Sequence, residues 1–500
     1  MASRNKQRPN IVFILSDDQG VWANGCYGNE EIQTPNIDSL AENGIRFDQF
    51  FCASPVCSPA RASILSGKIP SQHGVQDWIR EGNLREGGID YLDGITALTD
   101  VLAEHGYRCG ISGKWHLGNS FVPQKHFSHW YVHQKGSGNY YNAPMVRDGE
   151  AVEEPGYITD LITDDAIACL RKYGEDDIPF YLSVHYTAPH NPWNEEQHPK
   201  EYLDLYRDCP FQTAVQEPWH PEATFRYSGE DARKSLIGYY ASITAMDANI
   251  GRIIAALEEL GLTQNTLVVF TSDNGYMCGQ HGIWGKGNGT FSLNMYEYAI
   301  KVPAIMSHPG VITGGRVSDE LFSHYDIMPT LLDYCGIDDF EDETLPGHSF
   351  APYLRGESEQ GGDAVMIFDE YGPTRMIRTK EWKYIHRYPH GFHELYDMVN
   401  DPMERRNLID DPAQKKRIEQ LRGQLTEWFL KYVDPRIDGA KEPVRGNGQL
   451  CRPGIFSAGQ IAFDQNRKVN VDPIVDPGAT EREKRQRTEK RQEAEQTSHA

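Results

Sequence analysis

The sequence predicts an α/β fold: a mostly parallel sheet flanked by helices on both faces, with a smaller α+β subdomain toward the C-terminus. Three observations predict it. Short apolar runs alternate with longer helical patterns, the signature of strands buried on both faces and crossed over by helices. Each strand-like run passes directly into a polar cluster. The composition then changes near residues 355–365 (RGESEQGGD), a linker-like stretch after which short strand and turn patterns replace the alternation.

The strand runs are Ile11–Leu15, Tyr107–Ile111, Phe180–Val184 and Leu267–Thr271, and the helical patterns are Thr34–Asn43, Leu92–His105, Ile158–Tyr173 and Ser235–Leu260. The clusters that follow the strands read SDDQG, SGKWHLG, HYTAPH and SDNG. In open α/β sheets, sites gather beyond the carboxyl ends of the strands, so four such clusters on one edge make a site. Met376–Arg378 and Trp382–Arg387 read as short antiparallel strands, followed by an amphipathic helix near Ala413–Tyr432. The expected organisation is a large domain at 8–360, a subdomain at 361–435 and an extended tail at 436–500. Residues 480–500 of that tail are charged, nearly free of apolar side chains and expected to be disordered or a frayed helix.

A chain of 500 residues exceeds one ordinary core, and 39% hydrophobic with 11% aromatic residues suffices for a globular protein. The formal charge of −23 argues against nucleic acid as a partner. It leaves an anionic substrate open, because a few Lys and Arg focused in a cleft can hold one anion inside an acidic protein. Nine cysteines show no metal-type spacing and do not form a disulfide framework. The polar N-terminus, MASRNKQRPN, has no apolar signal core, and no run of about 18 apolar residues occurs. The expectation is a cytoplasmic chain without membrane association, or a periplasmic or secreted one if a signal has been removed.

Asp17 and Asp18 follow the first strand, and Asp273 and Asn274 follow a later one. Hard oxygen ligands of this kind suit Ca²⁺ or Mg²⁺ better than zinc. Asx turns or helix caps would use the same residues. Cys57 opens the box Cys57-Ser58-Pro59-Ala60-Arg61, with Ser66-Gly67 following. Alone it would read as a buried structural cysteine. Pro59 restrains the backbone there, and Arg61 beside a helix start favours an anion. Lys114 and His116 stand two apart in Gly113–Gly118, so in an extended segment both reach one ligand; a surface loop is the other reading. His190 lies in the Pro-stiffened TAPHNP loop, with His185 upstream read as structural, and Lys286 lies in HGIWGKG.

The Cys57 box with its Ser-Gly extension, the Asp17-Asp18 pair and the Gly-Lys-Trp-His-Leu-Gly motif together resemble the type I, formylglycine-dependent sulfatases. The C-terminal pattern from Arg378 through Trp382-Lys383-Tyr384 to Glu404 extends the resemblance over about residues 8–435. It implies the mixed, mostly parallel, alkaline-phosphatase-like fold. It also implies that a formylglycine-generating enzyme converts Cys57 to formylglycine (3-oxoalanine). The hydrated aldehyde, a gem-diol, then attacks sulfur with one hydroxyl to give a covalent sulfo-enzyme, and the other hydroxyl expels sulfate.

In that scheme the catalytic positions are Cys57, Arg61, Lys114, His116, His190 and Lys286. Lys114 binds the sulfate, His116 is the base for elimination, His190 contacts the sulfate and leaving oxygen, and Lys286 holds the bridging oxygen and is a candidate to protonate the leaving group. The metal, Ca²⁺ or else Mg²⁺, falls to Asp17, Asp18, Cys57, Asp273 and Asn274. One departure is the stretch Asn288–Met295 before Tyr296-Glu297, longer than in many relatives and expected to shape the substrate site. Asp77, Trp78, Trp193, His281 and Arg375 are candidate rim residues for sugar rings and hydroxyls, with packed or solvated roles equally compatible.

The expected activity is hydrolysis of a sulfate monoester on a sulfated carbohydrate. A phosphonate monoester or phosphodiester hydrolase of the same fold is the alternative, opposed by Asp17-Asp18 where such relatives carry Asp-Gln. A non-catalytic binder of sulfated glycans, with Cys57 unmodified, would not need the full set of proton-transfer groups. A two-zinc phosphatase would need several histidine ligands instead.

Overall fold

The computed structural model describes residues 8–227, 229–358 and 366–465. Asn10–Ser16 (β1) is buried along its whole length because each face meets a packed layer. Ile11, Phe13 and Leu15 enter one core, and Val12 and Ile14 enter another. This two-sided burial explains why the strand reads as a continuous apolar run.

β1 is joined by Ile45–Phe47 (β2), Arg108–Gly113 (β3), Phe127–His133 (β4), Tyr141–Arg147 (β5) and Glu150–Tyr157 (β6). Phe180–His185 (β7), Thr266–Ser272 (β8), Ala304–Ser307 (β9) and Arg316–Ser318 (β10) complete a sheet in the order β10-β2-β9-β8-β1-β7-β3-β4-β5-β6. The five strands β8, β1, β7, β3 and β4 run parallel side by side. Antiparallel neighbours extend them at both sides, β9 next to β8 and β5–β6 beyond β4. The sheet is therefore mixed and mostly parallel.

Helices cover both faces. Pro35–Glu42 (α1), Ile158–Tyr173 (α4) and Gly229–Glu259 (α5) bury their apolar stripes on the Val12/Ile14 side. Cys57–Ser66 (α2) and Leu98–Glu104 (α3) pack on the Ile11/Phe13 side. The C-terminal region holds a four-stranded antiparallel sheet, Met366–Tyr371, Thr374–Thr379, Trp382–Arg387 and Glu394–Asp397, in chain order. Lys415–Tyr432 (α6) seals it by packing Leu421, Leu425 and Phe429 on Ile377, Tyr384 and Leu395. Each such buried aliphatic or aromatic side chain contributes about 1.5–3 kcal/mol relative to exposure.

Residues 436–465 are extended apart from two short 3₁₀ turns, but they pack back on the large domain, with Ile437, Val444, Cys451 and Phe463 buried and Gln449 fully enclosed. Residues 359–365 of the linker stretch and 466–500, including the stretch expected to be disordered, lie outside the described residues. No helix among the described residues is long and apolar enough to cross a membrane, and the nine cysteines are unpaired.

Candidate active site

β8, β1, β7 and β3 are parallel neighbours, so their carboxyl ends lie side by side on one edge. That edge receives Asp273 and Asn274, then Asp17 and Asp18, then the His190 loop, then Lys114 and His116. The backbone knits these turns together: Asp17 N donates to Ala188 O (3.0 Å) and Asp273 N to Ser16 O (3.1 Å). Asp18 takes a left-handed backbone (φ 67°), a conformation that Asp adopts more readily than most residues. Tyr239 from α5 holds that turn, donating to Asp18 O at 2.9 Å and accepting from Gly20 N at 3.1 Å.

One ligand atom from each of Asp17, Asp18, Cys57 and Asp273 lies within 4.8 Å of the others, and all four residues are buried. The Lys114 ammonium donates to Asp17 and the Lys286 ammonium to Asp18. Arg61 Nε and Nη2 each lie 2.9 Å from Asp273 Oδ2. Three carboxylates thus face three fixed cations, and the cluster is neutral as it stands. Asn274 Nδ2 donates to Asp18 Oδ1 (2.7 Å) and Gly275 O (3.0 Å), whereas its buried Oδ1 accepts no hydrogen bond. An unpartnered amide oxygen beside three converging carboxylates is the donor set of a hard divalent cation. With that ion the site carries a net positive charge, suited to an anionic ester.

Burial pushes Asp17 up, but Lys114, His190 and Arg61 outweigh it and hold the carboxyl below its usual range. For Cys57, burial and then Asp17 push the thiol up to about 12, against Lys114 and Lys286. His116 is held far below the ordinary histidine value by burial and then by Lys114, so its ring is neutral.

Cys57 is the first residue of α2, and Arg61 stands one turn later on the same face. Lys286 Nζ is 2.7 Å from Cys57 Sγ, and the thiol lies 3.4 Å from Asp17 Oδ1. Cys57, Asp18, His116, His190 and Lys286 line one cavity of about 240 Å³. Arg61 and Lys114 do not line it. They sit fully buried behind the carboxylates, with Arg61 Nη1 also donating to Lys114 O at 3.0 Å. His116 Nε2 donates to Ile79 O (3.0 Å), which leaves Nδ1 as a buried lone pair without a partner. His190 Nδ1 donates to Asn191 O (2.9 Å), and its Nε2 stands 3.7 Å from Asp18 Oδ2. Tyr140 steadies this loop by donating to His190 O at 2.7 Å.

Of the expected rim residues, only Trp78 lines the cavity. Asp77 is a buried strut, accepting from Tyr371 Oη (2.7 Å), Trp78 N (2.9 Å) and Gly448 N (2.9 Å), and burial pushes its carboxyl up to about 6. Trp193 is packed edge-on against Tyr239 and Tyr276 and donates to Pro189 O at 2.7 Å, so it supports the His190 loop, and it lines a larger cleft beside that loop. His281 stacks on Tyr296 with ring centres 4.1 Å apart, and Arg375 is locked between Glu370 (2.8 Å) and Asp438 (2.6 Å). These placements share one cause: an aromatic or charged residue in a loop reads the same whether it packs or binds. The cavity also takes Phe225 and Asn288, which the rim candidates omit. Asn288 opens the long Asn288–Met295 stretch that departs from the motif, whereas nothing in the local sequence marks Phe225. The larger cleft, of about 930 Å³, adjoins at Asn191, but several of its charges pair with each other, Arg207 with Glu195 and Lys234 with Glu230.

Residues 9–337 match the Sulfatase family, and residues 279–431 match the C-terminal region of N-sulphoglucosamine sulphohydrolase. The chain belongs to the sulfatase family. It is similar to an N-acetylglucosamine-6-O-sulfatase of Bacteroides thetaiotaomicron, 30% identical over 88% of this chain and 90% of that protein. Among solved structures it resembles one in complex with its substrate D-glucosamine-2-N,6-O-disulfate, 27% identical with a TM-score of 0.75, over 87% of this chain and all of the other. A phosphonate monoester hydrolase of Agrobacterium radiobacter shares the fold alone, at 22% identity and a TM-score of 0.66 over 85% of this chain and 96% of that one. This sulfatase is accordingly a sulfuric ester hydrolase with an alkaline-phosphatase-like fold.

Proposed function

We propose that this sulfatase hydrolyses a sulfate monoester of a carbohydrate, using position 57 after a formylglycine-generating enzyme has oxidised Cys57. Asp17, Asp18, Asp273 and Asn274 would hold a Ca²⁺ ion, or Mg²⁺ in its place, beside residue 57. The observation that carries the reading is the convergence of Cys57, Lys286, His116 and His190 on one cavity beside the buried oxygen cluster. The similarity to an N-acetylglucosamine-6-O-sulfatase, and to a structure holding a glucosamine disulfate, supports a sugar as the alcohol.

A hydrated formylglycine supplies one hydroxyl to attack sulfur and a second whose deprotonation releases sulfate and restores the aldehyde, while the cation supplies charge against the sulfate oxygens. The protein's own residues do the rest. Lys286, already 2.7 Å from the residue-57 side chain, places an ammonium where negative charge gathers. His116 accepts the second hydroxyl's proton at Nδ1, because its Nε2 proton is committed to Ile79 O. His190, on the solvent side, hands a proton to the departing sugar oxygen. Proton transfer of this kind contributes ~10²–10⁴-fold. Lys114 and Arg61 act from behind, fixing Asp17 and Asp273. Overall the sugar O–S bond breaks, water is consumed, and alcohol, sulfate and a proton are released.

Two measurements test this reading: the mass of the peptide carrying residue 57, and relative turnover of aryl sulfate and aryl phosphonate. An aldehyde at 57 and a sulfate preference are expected. A fully active protein with thiol alone would overturn the nucleophile, and a phosphonate preference would move the chain to the other ester class.

A further inference from the structure

The part of the cavity wall that carries Trp78 is held by chain remote from it in sequence. Gly446–Gln449 runs alongside Trp78–Arg80: Gln449 N donates to Trp78 O (2.7 Å), and Arg80 N donates to Gln449 O (3.0 Å). The enclosed Gln449 side chain accepts from Gln76 N (2.8 Å) and donates to Gly74 O (2.8 Å) and Cys451 O (3.0 Å). The Gly446 carbonyl accepts from two cavity-lining side chains, the Trp78 indole at 3.0 Å and the Asn288 amide at 3.3 Å. Arg80 covers the Trp78 ring at 5.3 Å and is itself tied to Asn447 O (3.1 Å) and Asp464 (3.3 Å).

Two glycines permit this approach. Gly446 and Gly448 have φ of 78° and 106°, where L side chains are strained. A Cβ at 446 would stand 2.6 Å from Asn288 Cβ, and one at 448 would stand 2.5 Å from Arg80 Cδ and 3.0 Å from Trp78 Cζ2. Between Trp78 and Arg80, the Ile79 carbonyl fixes the His116 ring, so the same contact steadies a proton-transfer group. Phe225, 44% exposed, adds a second aromatic side chain to the cavity.

We propose that Gly446–Gln449 is a specificity-determining strap, which holds Trp78 and Asn288 as the surface that receives the pyranose ring of a terminal sulfated sugar. The amphipathic indole offers a rigid apolar surface to the ring's C–H face, its N–H being already satisfied by Gly446. Asn288 offers its amide to a ring hydroxyl. The inference rests on the carbohydrate reading above.

The test uses the full-length, matured enzyme and compares kcat/KM for 4-nitrophenyl sulfate with that for the best substrate from a panel of sulfated monosaccharides. Gly448→Ala and Trp78→Ala are each expected to lower the sugar-to-aryl ratio about tenfold or more, chiefly through KM for the sugar. The double variant should fall no further than Trp78→Ala alone, because the ring that Gly448→Ala displaces is gone. An unchanged ratio in Trp78→Ala, or losses that simply add, would overturn the proposal. Should Gly448→Ala fail to fold by thermal unfolding, Trp78→Phe, Trp78→Ala and Asn288→Ala decide. A graded loss, smallest for Phe, supports the strap, and three wild-type ratios refute it. A wild-type enzyme that cleaves aryl sulfate but no sugar sulfate removes the carbohydrate reading itself, and the inference with it.

Discussion

This protein buries two clusters of opposite charges, one at the strand ends and one between the large domain and the C-terminal sheet. In the first, Asp17, Asp18 and Asp273 meet Lys114, Lys286 and Arg61. In the second, Lys383 Nζ lies 2.6 Å from Glu404 and 3.2 Å from Glu297, and Arg378 Nε lies 3.3 Å from Glu297. Each sets carboxyl groups against ammonium and guanidinium groups, which is how buried ions offset their desolvation. Their surroundings differ. The first leaves Asn274 Oδ1 without a donor and opens through Asp18 and Lys286 onto a cavity. In the second, Glu404 also accepts Glu297 N at 2.7 Å, and no member lines that cavity. Asp369, which interacts with Lys383 and Glu297, leaves both its buried oxygens unclaimed as well. Neither buried charge nor an unclaimed oxygen therefore marks chemistry in this fold by itself; an unclaimed ligand oxygen beside space does.

The sharpest challenge to this contrast is Cys57→Ala, expected to cost at least about 10⁴-fold in turnover while thermal unfolding stays close to wild type. Retained activity would detach the strand-end cluster from the chemistry. Next comes a pair of lysine variants. Lys286→Ala should lower kcat/KM by roughly 10²–10³. Lys383→Ala should instead cost about 3–5 kcal/mol in denaturant unfolding, because it leaves the buried Glu404 carboxyl without its cation and Glu297 with Arg378 alone, without a matching loss of turnover in the folded fraction. Reversed effects would erase the distinction between the clusters.

Metal response sharpens the comparison further. Ca²⁺ is expected to raise the unfolding free energy by about 2.7 kcal/mol at one hundred times its Kd. Asp273→Asn should abolish most of that gain, and Glu297→Gln should leave it intact. The smallest effect concerns pH. Burial, with Glu297 adding to it, pushes the Glu404 carboxyl up from 4.5 to about 7. Between those values the folded protein keeps a proton that the unfolded chain releases. This group's contribution to stability is therefore complete below pH 4.5 and is lost as pH rises toward about 7. Glu404→Gln should flatten the wild-type decline of Tm across that window, and an unchanged slope would place the titration elsewhere. Glu297, held low by Arg378 and Lys383 despite burial, acts only on further acidification.

The legible parts of this protein are those whose chemistry is local. β1, β3, β7 and β8 stood out because burial on both faces demands unbroken apolar runs, and their turns stood out because Asp, Asn, Gly and Lys crowd directly behind them. β4–β6, Phe127 to Tyr157, did not stand out. They lie at the far side of the sheet, where Glu150–Tyr157 is largely exposed or half-exposed and its sequence, EAVEEPGY, carries no apolar run. The rim was not legible for a related reason: Asp77 and Arg375 are charged residues occupied by partners such as Tyr371, Gly448, Glu370 and Asp438, up to several hundred positions away.

By itself, then, the amino-acid sequence determined the fold class, the strand-end residues and the Cys57 box, because period, turn chemistry and motif spacing act over a few neighbouring residues. Only the tertiary structure decided which of those residues face the cavity and which brace it from behind, as Arg61 and Lys114 do. It alone brought Trp78, Phe225 and Asn288 around one space, with Gly446 tied to Trp78 and Asn288 from outside it. The physical reason is that a cavity is bounded by whatever the packed chain leaves beside it, and side-chain contacts across such distances depend on the closed geometry of the whole molecule.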